Sequence, residues 1–272
     1  MVFEMQILTT TRIATALLFL SHASWSDYKI REASDATWMA LAPLGFTLTF
    51  AETYLYEPSQ LIFYGICFAL TVAFATAIFY LGGFGGADAK ALMCLALVLP
   101  FYPADLLKPF LGGVSPTSQM VFPFTVFSNS VLLSALSAVA MMLFNVLWRW
   151  KTGIKLFADD YENRTFARKL LILITGYKVS IKKLKEKWHV YPLEDIEEKS
   201  ENVFKRKLIV LPKDEGRDDV VKRLEKAVKV GTIQDGIWAT PGLPFLIFVT
   251  SGLILALFVG DIIWIFIRLL LI

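Results

Sequence analysis

Gly-Gly-Phe-Gly-Gly-Ala-Asp-Ala-Lys occupies residues 82–90 and decides how the chain is read. Thirty uncharged residues separate Glu57 from Asp88, and a shorter apolar run follows Asp88. Four glycines in five positions break any helix between the two runs and let helix ends approach closely. Asp88 then opens the next apolar run, which puts its charge at a membrane face or just inside it. An ionisable group there is costly and marks a candidate functional site. The question for the rest of the chain is whether a second carboxylate reaches Asp88.

Of the 272 residues, 56% are hydrophobic and 19% are charged, which excludes disorder and argues against an ordinary soluble domain. Both cysteines, Cys67 and Cys94, sit in apolar runs and read as buried thiols, not as a disulfide framework. His22 and His189 are far apart in sequence and suggest no metal constellation. No metal, no cofactor and no nucleic-acid partner is expected.

A spanning helix needs about 20 mostly apolar residues. The first candidate runs over about 6–26, with Arg12 snorkelling or beginning the helix. No basic segment precedes it, so it is expected to be retained and not removed as a signal peptide. Further helices are expected over about 36–54, 59–81, 88–102 and 120–148. Pro100 and Pro103 end the fourth, and 109–116 reads as a loop. Trp148 and Trp150 form an interfacial anchor at the end of the fifth.

The composition then changes: 21 of the 27 Lys and Arg residues fall between Arg149 and Asp235. Residues 168–180 read as a β-hairpin and 208–211 as a strand. Val220, Val221, Leu224 and Val228 give 218–229 the spacing of an amphipathic helix. A last spanning helix is expected over about 243–260, followed by Asp261 and a final apolar segment. The expected fold is an all-α polytopic membrane protein of about six transmembrane helices. A small α/β or mostly β cytoplasmic domain is inserted between helices 5 and 6. The divisions are a membrane domain at 1–148, a soluble domain at 149–238, and a last helix with its C-terminal segment at 239–272. Lys29, Arg31, Lys90 and the basic stretch lie in loops 1, 3 and 5, so the positive-inside rule puts these loops in the cytoplasm and both termini outside.

On this topology Asp27, at the end of helix 1, and Asp88, at the start of helix 4, share one depth near the cytoplasmic face. Asp261 lies 23 residues past Trp238. That is roughly 34 Å along a helix, which carries it to the opposite interface. Asp35 is at a suitable depth but in a polar loop. Two neighbouring carboxylates do not ionise together easily. Such a pair can share a proton, polarise a water and protonate a leaving amine. Taken singly, Asp27 is a helix-end charge, Asp88 an N-cap, and Lys29, Arg31 and Lys90 are topology determinants. The sharper reading of these three cations has them orienting the aspartates or lipid phosphates.

Ser26-Asp27-Tyr28-Lys29-Ile30-Arg31-Glu32 resembles the first aspartate motif of type IV prepilin peptidases. Gly85-Gly86-Ala87-Asp88-Ala89-Lys90 resembles their second motif, Gly-x-Gly-Asp followed closely by Lys. Ala87 departs from it, and the archaeal preflagellin (prearchaellin) peptidases are similar in accepting a small hydrophobic residue there. Residues 169–179, Ile237-Trp238-Ala239-Thr240-Pro241 and Gly260-Asp261 resemble the insertion and last helix of that archaeal branch. The resemblance implies six membrane helices and a membrane aspartic protease with catalytic Asp27 and Asp88, supported by Gly85, Gly86, Ala87, Lys29, Arg31 and Lys90. It implies cleavage of the short basic leader of archaellin-like or pilin-like precursors at the cytoplasmic face. Bacterial members often carry a cysteine-rich segment linked to N-methylation, which this chain lacks, so no methyl transfer is expected.

Two rivals remain. Presenilin-type or signal-peptide-peptidase-type intramembrane proteases share the Gly-x-Gly-Asp motif, but here Tyr28 follows Asp27 and the late stretch is Pro241-Gly242-Leu243-Pro244. A transporter would place its acidic residues near the midplane and show inverted repeats.

Overall fold

The computed structural model describes residues 2–82, 84–157, 165–200, 203–208, 216–242 and 244–271. The chain divides into two compact units, residues 1–134 with 244–272, and residues 135–243.

The first unit is helical. It contains α1 (Val2–Ile30), α2 (Asp35–Tyr56), α3 (Leu61–Tyr80), α4 (Gly86–Val98), a short α5 (Pro116–Met120), the start of α6 (Phe122–Thr152), α10 (Phe245–Phe258) and α11 (Ile262–Leu270). The burial pattern explains how they pack. α2 buries Thr37, Leu41, Gly45, Thr49 and Thr53, one residue per turn on one face. α3 buries only Tyr64, Cys67, Thr71 and Ala75, also on one face, and leaves the rest of a wholly apolar surface outward. α4 is apolar after Lys90 and buries Ala91, Leu92, Cys94, Leu95, Ala96 and Val98, residues spread around the helix, as a central helix must. Its neighbours are α1, α2, α3 and α10.

Small residues set the close approaches. A methyl added at Gly45 would lie 2.8 Å from Val98 Cβ, and one at Gly252 would lie 2.8 Å from the Val126 carbonyl and collide with Ser130. Between helices in lipid, such approaches and hydrogen bonds carry association, because lipid tails are as apolar as leucine.

Among the described residues, two helical stretches, Pro58–Tyr80 and Phe122–Thr152, are long and apolar enough to cross a membrane. α10 and α11 together would make a third, bent by 54° at Gly260. Asn129 bridges this bend, donating to the Gly260 carbonyl at 2.9 Å and accepting from the Ile262 amide at 3.2 Å. Asp261 is buried there. It caps α11 by accepting from the Trp264 amide at 3.1 Å and takes a 2.8 Å hydrogen bond from Ser115.

α4 ends at Val98, four residues before the expected end, because Leu99 leaves helical geometry ahead of Pro100. The terminal carbonyls of a helix have no partner within it. Here side chains from three helices supply them. Arg12 Nε donates to Val98 O at 2.8 Å, Thr49 to the same oxygen at 3.1 Å, and Tyr64 to Leu97 O at 3.1 Å. Arg12 therefore neither snorkels nor starts a helix. It is buried in mid-α1 and pairs with Glu52 of α2 at 2.7 Å. Both line a cavity of about 70 Å³ with Thr9, Tyr56 and Asp105.

Among the described residues, the second unit combines the end of α6 with α7 (Phe166–Thr175), α8 (Ile181–Glu186), α9 (Arg217–Lys229) and five strands. β5 (Ile237–Pro241) is central in an antiparallel sheet between β1 (Tyr177–Val179) and β2 (Val190–Pro192); β3 (Glu194–Ser200) and β4 (Val203–Leu208) pair separately. The hairpin expected over 168–180 is not formed. Ala167, Arg168, Lys169, Leu170 and Leu171 are strong helix formers, and α7 replaces its first arm. Gly176 ends α7 where a side chain would collide with Leu193 and come within 3.0 Å of Ala239 O. The second arm, β1, pairs instead with β5, matching Val179 to Ile237. The strand expected at 208–211 is present only to Leu208; residues 209–211 lie outside the described residues. Trp238 is fully buried, and its backbone amide donates to Glu194 at 2.8 Å.

Candidate active site

The glycine-rich stretch works through geometry more than through flexibility. Gly82 adopts a left-handed φ of 75° that closes the end of α3. Gly85 is the N-cap of α4, so Asp88 is the third residue of the helix and not the cap itself. Its carboxylate reaches back and accepts from the Gly85 amide at 3.0 Å. A methyl at Gly85 would sit 3.1 Å from that same carboxylate oxygen, whereas one at Gly86 would meet only the Phe79 ring at 3.8 Å. Ala87 packs against the main core of the first unit.

Asp27 lies in the last turn of α1. One turn earlier, Ser24 locks α1 to α10 by donating to Leu246 O at 2.8 Å and sharing a 2.7 Å hydrogen bond with Thr250. That contact turns Asp27 towards the start of α10, where its carboxylate faces the backbone amide of Leu246. The first amides of a helix have no acceptor within it and carry the positive end of the helix dipole. After Ile30 the chain turns through Arg31, which takes a left-handed φ of 58° and donates its amide to Asp27 O at 3.0 Å. The turn is tightened by Ser26, whose hydroxyl donates to Glu32 O at 2.7 Å. It brings the Arg31 guanidinium close enough to act on the Asp27 carboxylate.

The structure brings Asp27 and Asp88 together at one end of the helical unit, near enough for the charge of one to act on the other. No hydrogen bond joins them among the described residues. Asp27, Asp88 and Ala87 are half-buried, and Arg31 acts on Asp27. Lys29 and Lys90 turn elsewhere. Lys29 lies over the Trp25 ring at 4.6 Å, and Lys90 pairs with Asp35 at 2.5 Å, tying the first turn of α4 to the first residue of α2. Asp35 is thus a helix-start residue, and Ser34 caps that helix.

Cys67 and Cys94 are buried and unpaired with each other, and among the described residues no group of three metal-ligating side chains converges. Sequence reasoning did not find the Leu246 amide, because a backbone donor has no residue-type signature. It also did not find the Arg12–Glu52 pair, whose signal was one isolated charge of each sign inside an apolar stretch.

Residues 14–148 match the type IV leader peptidase family, and residues 168–262 match the archaeal peptidase A24 C-terminus of type II. The chain is 27% identical over 263 residues to a preflagellin peptidase of Methanococcus voltae, covering 91% of this chain and 94% of that protein. It is 25% identical over 249 residues to a preflagellin peptidase of Methanocaldococcus jannaschii, covering 88% and 89%. A prepilin peptidase of Methanothermobacter thermautotrophicus is 28% identical over 136 residues, 47% of this chain and 34% of that protein.

Proposed function

Because the chain belongs to the type IV leader peptidase family, we propose that it is a membrane aspartic endopeptidase acting on archaellin-like or pilin-like precursors. It removes their short basic leader at the cytoplasmic membrane face, with Asp27 and Asp88 as the catalytic pair and without N-methyl transfer. The observation that carries this reading is the juxtaposition of two half-buried carboxylates from α1 and α4, with neither neutralised by a bonded cation among the described residues.

The chemistry follows from one shared proton. The ionised carboxylate takes a proton from a water held between the two, and the water oxygen bonds to the scissile carbonyl carbon. The protonated partner gives its proton to the carbonyl oxygen. Collapse of the resulting gem-diol breaks the C–N bond as a proton passes to the departing amine, and the pair returns to its starting charge. Arg31 and the start of α10 favour the ionised form of Asp27 whenever the charge resides there. Gly85 leaves room beside Asp88 for an extended substrate backbone.

In this reading α1, α2, α3, α4, α6 and α10 cross the membrane, with both chain termini outside. The bilayer is one partner and the precursor the other, its hydrophobic helix beside the bundle and its leader at the aspartates. The test is cleavage of a precursor archaellin or pilin by membranes carrying the wild type, Asp27→Asn or Asp88→Asn. Each single change is expected to abolish cleavage while the protein still accumulates. Normal cleavage by both variants would return the aspartates to the role of helix-end charges.

A further inference from the structure

The second unit holds a cavity of about 370 Å³ formed by the last turns of α6, by β1 and by α8. That volume falls in the roughly 300–1,000 Å³ range of small-molecule sites. Lys178, Lys183 and Lys187 line it, and among the described residues no carboxylate does. The neighbouring lysine, Lys185, is already paired with Glu225 at 3.0 Å. Among the described residues, the ammonium groups of Lys183 and Lys187 have no such acidic partner. Lys178 is held in place, with its ammonium 5.8 Å from the centre of the Trp148 ring and donating to Lys155 O at 3.2 Å.

The frame around the cavity is built, not incidental. Asn145 of α6 donates to Leu173 O at 2.9 Å and to Gly176 O at 2.7 Å, which joins the helix to the chain entering β1. The position of the cavity along α6 identifies its surroundings. α6 has 31 residues. At 1.5 Å per residue it is about 46 Å long, against a hydrocarbon core of about 30 Å. Its last ten or so residues therefore emerge at headgroup level, and Phe144, Asn145 and Trp148 are among them. Phe144, Leu147 and Trp150 on the same turns are 53%, 61% and 81% exposed, an apolar surface suited to acyl chains.

We propose that this cavity binds the phosphate headgroup of an acidic membrane lipid, with Lys183 and Lys187 contacting the phosphate and Trp148 and Tyr177 seated at the interface. The basic leader of a precursor has the wrong charge for such a site. A soluble phosphate would make no use of the apolar flank.

The experiment uses the full chain purified in detergent and measures lipid retention by native mass spectrometry. The probes are phosphatidylglycerol and phosphatidylcholine, with inorganic phosphate and glycerol phosphate as competitors. The wild type should retain phosphatidylglycerol in preference to phosphatidylcholine. Lys183→Gln/Lys187→Gln should weaken that retention on the order of 30-fold, at about one factor of five for each lysine near an anionic surface. Each single variant should show one of the two factors, and exposed Lys182→Gln should show none. Equal retention of the two lipids, or wild-type retention by the double variant, overturns the proposal. So does displacement of the lipid by the soluble phosphates, which would mark a site for a free anion. Asp88→Asn separates this proposal from the proteolytic one: it should lose cleavage and keep phosphatidylglycerol.

Discussion

Charge is placed at two levels of the helical unit, and the two levels are built on opposite plans. Near the C-terminal end of α4, Arg12 and Glu52 have opposite signs, sit 2.7 Å apart and are both buried. Arg12 also donates to Val98 O, and Thr9 donates to the same Glu52 oxygen at 3.0 Å, which leaves the other Glu52 oxygen buried without a partner among the described residues. At the N-terminal end of α4, Asp27 and Asp88 have the same sign, are half-buried, and are met mainly by backbone amides and by the more distant Arg31. An opposite pair, joined through one Glu52 oxygen and anchored to the end of α4, is a brace. A like pair held together despite its repulsion is a site with unused capacity for a proton and a water. The helices involved are shared, because α1 carries both Arg12 and Asp27, and α4 receives Arg12 at its end and carries Asp88 at its start. The brace thus sets how far α1 and α4 are shifted along each other, and so where the aspartates meet.

The largest expected effect tests the like pair. Asp27→Asn and Asp88→Asn keep side-chain size and remove titration. Cleavage should fall by on the order of 10²–10⁴-fold, the usual contribution of a general acid or base. Thermal unfolding of the purified protein should barely move. A variant that unfolds as readily as it loses activity would make this end structural as well.

The next effect tests the brace and should invert that pattern. Arg12→Met leaves Glu52 buried without its cation and should destabilise by about 3 kcal/mol, the lower end of the range for breaking a buried pair, because the adjoining cavity admits water. Arg12→Met/Glu52→Met removes both charges and should recover most of that loss. A thermal-unfolding double-mutant cycle measures the coupling. Additive losses from the two single variants would show that the pair does not act as a unit.

The difference between the two levels also explains what was legible in the residues alone. Asp27 and Asp88 stood out because each follows a long uncharged run and is flanked by residue types with known consequences. The amphipathic spacing over 218–229 was likewise readable and is observed as α9, Arg217–Lys229. Arg12 and Glu52 were visible only as interruptions in separate apolar runs. Their meeting depends on the shift of α1 against α2, which no local pattern encodes. The end of α4 at Val98 and the helix in place of a hairpin at 166–175 are tertiary outcomes of the same kind. In the first, carbonyls are claimed by other helices. In the second, β5 takes the strand that the hairpin would have used.

Gly85→Ala gives a smaller and sharper test. Gly85 has φ −71° and ψ 157°, which alanine adopts without strain, so stability should hold or rise by about 0.5 kcal/mol. The added methyl meets the Asp88 carboxylate at 3.1 Å and should displace it by a few tenths of an ångström. Cleavage should fall by roughly 10-fold, less than the roughly 10²-fold expected of a full 1 Å misplacement. Gly86→Ala, whose methyl has ordinary van der Waals space, is the matched control. Equal activity of the two variants would remove Gly85 from the positioning of Asp88.

The smallest effect concerns Lys90 and Asp35, which tie the start of α4 to the start of α2. Their side chains are 47% and 72% exposed, so water and salt screen the pair despite its 2.5 Å separation. Lys90→Gln or Asp35→Asn should change stability by less than about 1 kcal/mol, and the difference from wild type should shrink as ionic strength rises. The two variants should also resemble each other in cleavage, since in each the remaining partner is left in water. If Lys90→Gln impairs cleavage well beyond Asp35→Asn, and by an amount that added salt does not reduce, then Lys90 contacts the substrate itself. The first turn of α4 would then belong to the substrate-binding surface, and the contrast would no longer be between a brace and a site but between two parts of one site.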